Sequence, residues 1–253
     1  MIRSLVSIVA LTACAALPLQ AQDADMVGDR PDFTESAQTV PVGRIQLEAG
    51  ATYSDFEGNN EAVTYGEALL RIGLAETFEL RGGLGSWVDI DIQGRDVNGF
   101  DGASIGVKWA PGPVAGVTDN FAVIVGTSLP WGDRDFAERA WQPGITLAGE
   151  WGLSESTGLG MNVGYTYARS DGERFDQLKL SASVGFEVNE RVGAFVEAYA
   201  FSEESPDGSF APYLDTGLVY SVHDNLALDA RVGAGLGQAE TDFFAGVGVV
   251  GRF

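Results

Sequence analysis

Cysteine and histidine each occur once among 253 residues, and lysine and arginine total 15 against 36 aspartates and glutamates. The lone cysteine, Cys14, lies in an apolar N-terminal stretch and has no partner for a disulfide. The lone histidine, His223, stands beside Asp224 in a predicted turn. Nucleophilic catalysis needs a base held beside its nucleophile, and a zinc site needs several nitrogen or sulfur ligands. The sequence therefore reads as a non-enzyme with no cofactor and no metal. The net charge of −21 argues against nucleic acid as a partner. Beyond residue 21 no segment approaches 18 consecutive apolar residues, which excludes a transmembrane helix there.

What is present begins with a leader. Arg3 supplies the positive start, Leu5 to Leu19 the apolar stretch, and Leu19-Gln20-Ala21 a cleavage site, so residues 1–21 read as a signal peptide for export from a bacterial cytoplasm. Leu11-Thr12-Ala13-Cys14 also resembles a lipoprotein cleavage box, which would leave Cys14 lipidated; the other reading is a small apolar residue within the leader.

From Arg44 onward the chain alternates with period 2, the signature of strands with two unlike faces. Twelve such runs are read: Arg44–Ser54, Ala62–Leu74, Phe78–Ile90, Gly102–Ala110, Phe121–Pro130, Gly144–Leu153, Leu159–Tyr167, Leu178–Val188, Val192–Phe201, Pro212–Val222, Leu226–Leu236 and Phe243–Phe253. In Leu178–Val188 the residues Leu178, Leu180, Ala182, Val184 and Phe186 face one way, and Lys179, Ser181, Ser183 and Glu187 the other. Phe121–Pro130 is apolar on both faces and is left unoriented. The last run ends the sequence on Phe253. An apolar edge strand recruits other chains, whereas closure against the first strand removes the edge. The connections alternate between short turns and longer, mostly acidic loops; Pro111–Asn120 is a long exception among the short set. Together these features predict an all-β transmembrane antiparallel up-and-down barrel of about 12 strands over residues 44–253, with short turns in the periplasm. Trp131 and Trp141 would mark the outer rim, and Trp109 and Trp151 the inner one.

Residues 22–43 show neither period and contain Pro31 and Pro41, so they read as an extended segment before the barrel. Its charges, Asp29, Arg30, Asp32 and Glu35, are too polar for lipid. They either fold into the lumen as a plug or belong to a periplasmic tail.

The stretch from Asp29-Arg30-Pro31-Asp32-Phe33-Thr34-Glu35-Ser36 to Val40-Pro41-Val42-Gly43-Arg44-Ile45-Gln46-Leu47-Glu48 resembles a family of bacterial outer-membrane transporter proteins linked to phenol degradation by the meta pathway. Ser128-Leu129-Pro130-Trp131-Gly132 resembles that family's Leu-Pro-x-Gly strand end. The run from Asp101-Gly102 to Lys108 resembles its Gly-Asp…Lys strand, with Phe100 inserted after Gly99. The resemblance implies passage of hydrophobic or aromatic compounds and carries over no catalytic residues.

Strand parity places Glu48, Glu67, Arg71, Glu79, Arg81, Asp89, Lys108, Glu150, Lys179, Glu187, Glu197, Asp215, Asp229, Arg231 and Arg252 on the inward face. A lipid-facing Arg or Lys would cost roughly 2–4 kcal/mol near the midplane, which constrains that parity. Such a lining either sets selectivity or fills a narrow lumen with ion pairs. The acidic loop residues, among them Asp55, Glu57, Asp133, Glu203 and Asp242, read as a surface meeting cation-bridged lipopolysaccharide. The partners expected are outer-membrane lipid and lipopolysaccharide, the barrel-assembly machinery and a small-molecule solute. The function expected is a small-molecule channel, with a closed structural or surface-interaction barrel as the alternative.

Overall fold

The computed structural model describes residues 26–56, 58 and 60–253; the predicted leader, Cys14 and Glu57 lie outside them. Thirteen strands follow in chain order: β1 (Ile45–Phe56), β2 (Asn60–Ala75), β3 (Phe78–Ile92), β4 (Arg95–Phe100), β5 (Ser104–Val114), β6 (Thr118–Ser128), β7 (Gln142–Ser154), β8 (Thr157–Ser170), β9 (Glu173–Asn189), β10 (Val192–Phe201), β11 (Ala211–His223), β12 (Leu226–Gly235) and β13 (Thr241–Arg252). Neighbours pair antiparallel, and β13 closes on β1 from Gln46↔Arg252 to Phe56↔Thr241. Phe253 and Ile45 exchange backbone hydrogen bonds beyond that ladder. The terminal strand has no free edge, as its apolar sequence requires.

Twelve strands form the wall of this transmembrane barrel, and β4 is additional. The lower part of β3, Phe78–Gly83, pairs with β5, while Trp87–Ile92 pairs with β4. The sequence reading left residues 91–101 as a loop. Instead Gln93 and Gly94 both take positive φ (54° and 85°), as a two-residue hairpin turn requires, and reverse the chain into β4. Asp171 and Gly172 do the same between β8 and β9, so the predicted loop Ala168–Asp176 is a strand hairpin. The exception at Pro111–Asn120 also disappears, because β5 runs to Val114 and the turn is only residues 115–117. Pro111 and Pro113 hide that continuation in the sequence; the register slips at Gly112, between the two residues that cannot donate.

The faces are inverted relative to a water-soluble protein. Leu180 is 53% exposed, whereas Glu48 and Lys108 are fully buried. β6 is now oriented: Ala122 and Ile124 are buried, while Val125 is exposed. With lipid outside and polar groups within, the closed ladder pairs backbone donors strand to strand.

Two positions that strand parity turns inward, Trp87 and Asp89, change face. Gly85 adopts φ +73° opposite an irregularity in β2 at Gly66 and Glu67, and the alternation of β3 slips by one residue. Ser86 is consequently buried and Trp87 is 47% exposed. Asp89 accepts a hydrogen bond from Trp87 Nε1 at 3.1 Å and shares its outer face. Neither Trp87 nor Asp89 lines the interior, because period-2 counting fails across a residue in the left-handed region.

Candidate functional site: the barrel interior

Residues 26–43 run through the interior toward the end that bears the short turns. Two prolines bar this segment from joining a ladder, so its N–H groups need other acceptors. Inward carboxylates and one amide provide them. Glu48 accepts from the N–H groups of Asp29 (3.0 Å) and Arg30 (2.9 Å). Glu197 accepts from Phe33 (2.6 Å), from Thr34 (2.7 Å) and from the Thr34 hydroxyl. Asn162 Oδ1 accepts from Glu35, Glu150 from Ala37 and Glu79 from Val40, at 2.6, 2.8 and 2.8 Å. These side-chain acceptors bind a segment that has no strand or helix of its own.

Asp29 stands at the centre of the charges. It meets Arg71 at 3.2 Å, Arg81 at 2.5 Å and Lys108 at 3.1 Å. Arg71 also pairs with Glu48 and Glu79, and Arg81 with Glu79 and Glu35. Burial alone would raise the Asp29 carboxyl, but the three cations hold it well below the usual carboxylate range. Asp32 is the converse: burial, then the Glu197 and Asp215 charges, push it well above that range.

Arg30 occupies a slot made by two glycines. Gly50 on β1 and Gly248 on β13 are directly paired. A Cβ on either would come within 2.4 Å of the Arg30 guanidinium. The guanidinium reaches Glu67 at 2.6 Å and Asp229 at 3.2 Å. Arg231 donates to the Pro31 carbonyl at 3.0 Å and lies over the Phe244 ring.

The remaining inward positions are separate from this network. Arg252 bonds the Asp224–Asn225 turn. Glu187 is exposed at the turn end. Asp215 is buried opposite Glu197. Lys179 borders a cavity of about 520 Å³ that Glu35 and Arg81 also line. A second cavity of about 580 Å³, toward the turn end, is bordered by Arg30, Asp32, Glu35 and Glu187. Strand parity also turns Gln46, Asn162 and Ser181 inward, but the list of lining charges leaves them out; they are buried polar partners of the segment or of its carboxylates. It also missed an aromatic stack: Phe33 lies 4.4 Å from Tyr199, Tyr199 lies 4.8 Å from Tyr213, and Phe201 meets all three edge-on. The inward parity of Tyr199 and Tyr213 was the available signal.

Residues 28–253 match the family model described as "Putative MetA-pathway of phenol degradation". The chain belongs to that family. Among solved structures, an outer membrane channel from Pseudomonas putida F1 is similar with a TM-score of 0.67 at 12% identity, over 86% of this chain and 98% of that one. The β domain of the Bordetella autotransporter Brka follows at 0.53 and 12%, covering 84% and 100%. The KdgM porin gives 0.51 and 14%, covering 81% and 99%. At such identities the likeness is one of fold, and it extends to a channel, a porin and an autotransporter domain alike. No curated protein matches the sequence significantly.

Proposed function

We propose that this family member is a bacterial outer-membrane channel for small molecules, not an enzyme, in which residues 26–43 act as a plug. The observation that carries the reading is the way the segment is held. Its backbone donors rest on carboxyl oxygens of the wall, and cavities border it. Polar contacts of this kind exchange with water at modest net cost, whereas an apolar filler would have to be dragged into it. Hydrophobic or aromatic solutes are the proposed cargo, supported by the family description and by the interior stack of Phe33, Tyr199 and Tyr213. The leader at residues 1–21 would deliver the chain, the barrel-assembly machinery would insert it, and the acidic loops would face lipopolysaccharide.

Single-channel conductance in a planar bilayer tests this, comparing the mature chain with a deletion of Gln22–Gly43 and with the milder Glu197→Gln. Higher conductance in both variants supports a plugged pore. Silence in all three forms would instead favour the closed structural barrel, for which the dense ion pairing around Asp29 speaks.

A further inference from the structure

Lys179 differs from the other inward cations named above. Arg30, Arg71, Arg81 and Lys108 all contact carboxylates, and Arg231 donates to the Pro31 carbonyl. Lys179 makes no hydrogen bond or ion pair among the described residues and is half-buried at the edge of a cavity. The charge that bears on it, Glu35, is already engaged by Arg81 at 2.6 Å. An ammonium carries three donors, and one that faces a cavity without a protein acceptor is free to take them to an anion.

The wall around it is shaped for one. Thr146, Gly164 and Lys179 are successive cross-strand partners on β7, β8 and β9. Over Gly164 the two neighbours converge: a Cβ there would lie 3.2 Å from Thr146 Oγ1 and 3.4 Å from Lys179 Cβ. Thr146, Thr166 and Lys179 all border the 520 Å³ cavity, and neither hydroxyl has a hydrogen-bond partner among the described residues. Beside them, Gly106, Gly126 and Gly144 are paired in sequence across three strands, leaving a wall free of side chains.

We infer that this cavity is a binding site for a small organic carboxylate, held by the Lys179 ammonium and the Thr146 and Thr166 hydroxyls, with a planar body against the glycine wall. One uncommitted cation matches one negative charge, and Glu35 nearby disfavours a dianion. The inference deepens the channel reading by naming a solute class, while binding itself does not require conduction.

Isothermal titration of the detergent-solubilised mature chain with benzoate, and with phenol as the neutral match, tests it. Benzoate is expected to bind about tenfold or more tighter than phenol, the scale of a charge-assisted hydrogen bond. Lys179→Gln should weaken benzoate by about the same factor and leave phenol unchanged. Lys179→Arg should retain benzoate binding, and Thr146→Val should weaken it severalfold. Heat-modified gel mobility verifies that each barrel is folded. Equal affinity for benzoate and phenol in the parent chain, or benzoate binding undiminished in folded Lys179→Gln, would overturn the site. Failure of the channel reading shows separately, as absent conductance.

Discussion

Asp215 stands directly across from Glu197 on the neighbouring strand, and neither of its buried oxygens finds a hydrogen-bond donor. Glu197 meanwhile holds Phe33 and Thr34. Two carboxyl groups that face each other without a donor between them are an unfavourable pair, and an amide in place of one would supply a donor. Asp215→Asn is expected to raise the urea midpoint of the folded barrel, by about 1–3 kcal/mol in unfolding free energy. A lower midpoint would mean that an acceptor is required at that position.

Arg71 is the residue whose loss should cost most. It is 1% exposed and contacts Asp29, Glu48 and Glu79. Removing one partner from a buried ion network leaves uncompensated charge, typically at about 3–5 kcal/mol. Arg71→Met should lower stability on that scale, whereas the triple change that also neutralises Glu48 and Glu79 should recover part of it. Equilibrium unfolding of the single and triple variants in detergent checks both.

The contrast between these residues and Asp89 shows which features strand parity could reveal. Parity alone put Arg71, Glu79 and Lys108 on one face, because β2, β3 and β5 alternate regularly where these residues lie. It failed at Asp89, where Gly85 takes a backbone conformation that reverses the count. It also missed β4, whose Gln93-Gly94 turn lies within a polar stretch resembling a loop. The path of residues 26–43 was open between two readings for a different reason. A segment without period is held by partners as distant in sequence as Glu150 and Glu197, and such pairings leave no local trace. The free ammonium of Lys179 was equally hidden, since a sequence shows a charge and not whether another charge reaches it.

The two aspartates of the segment should give its seating a pH dependence of known sign. Asp32 has its carboxyl raised above the ordinary 3.8 by burial and by Glu197 and Asp215. Its proton is bound more tightly in the folded state, so its contribution is favourable in acid and is lost as pH rises from 3.8 through the raised value. Asp29 is lowered, so its contribution is full above 3.8 and is lost only as pH falls through its depressed value. Between these limits mild acidification should tighten the segment. A spin label on residue 26 should become less mobile from pH 8 towards pH 4.5. Asp32→Asn should weaken that pH dependence, leaving the part due to Glu35, whose carboxyl burial also raises, and a parent chain insensitive to pH would refute the assignment.

The glycine slot around Arg30 makes a steric prediction independent of charge. Gly248 has an ordinary strand backbone, so alanine there is not strained by conformation. Its Cβ, however, would fall 2.4 Å from Arg30 Nε and 2.6 Å from Asp229 Oδ2. The guanidinium must leave, and its bonds to Glu67 and Asp229 go with it. Gly248→Ala should therefore leave the barrel folded by gel mobility yet increase proteolysis of the segment near Arg30. Gly185 lies on β9 with nothing within 4 Å of its virtual Cβ, so Gly185→Ala should change neither. If both variants behave alike, the slot has no part in seating Arg30; if only Gly248→Ala loosens the segment, close backbone approach is what the paired glycines provide.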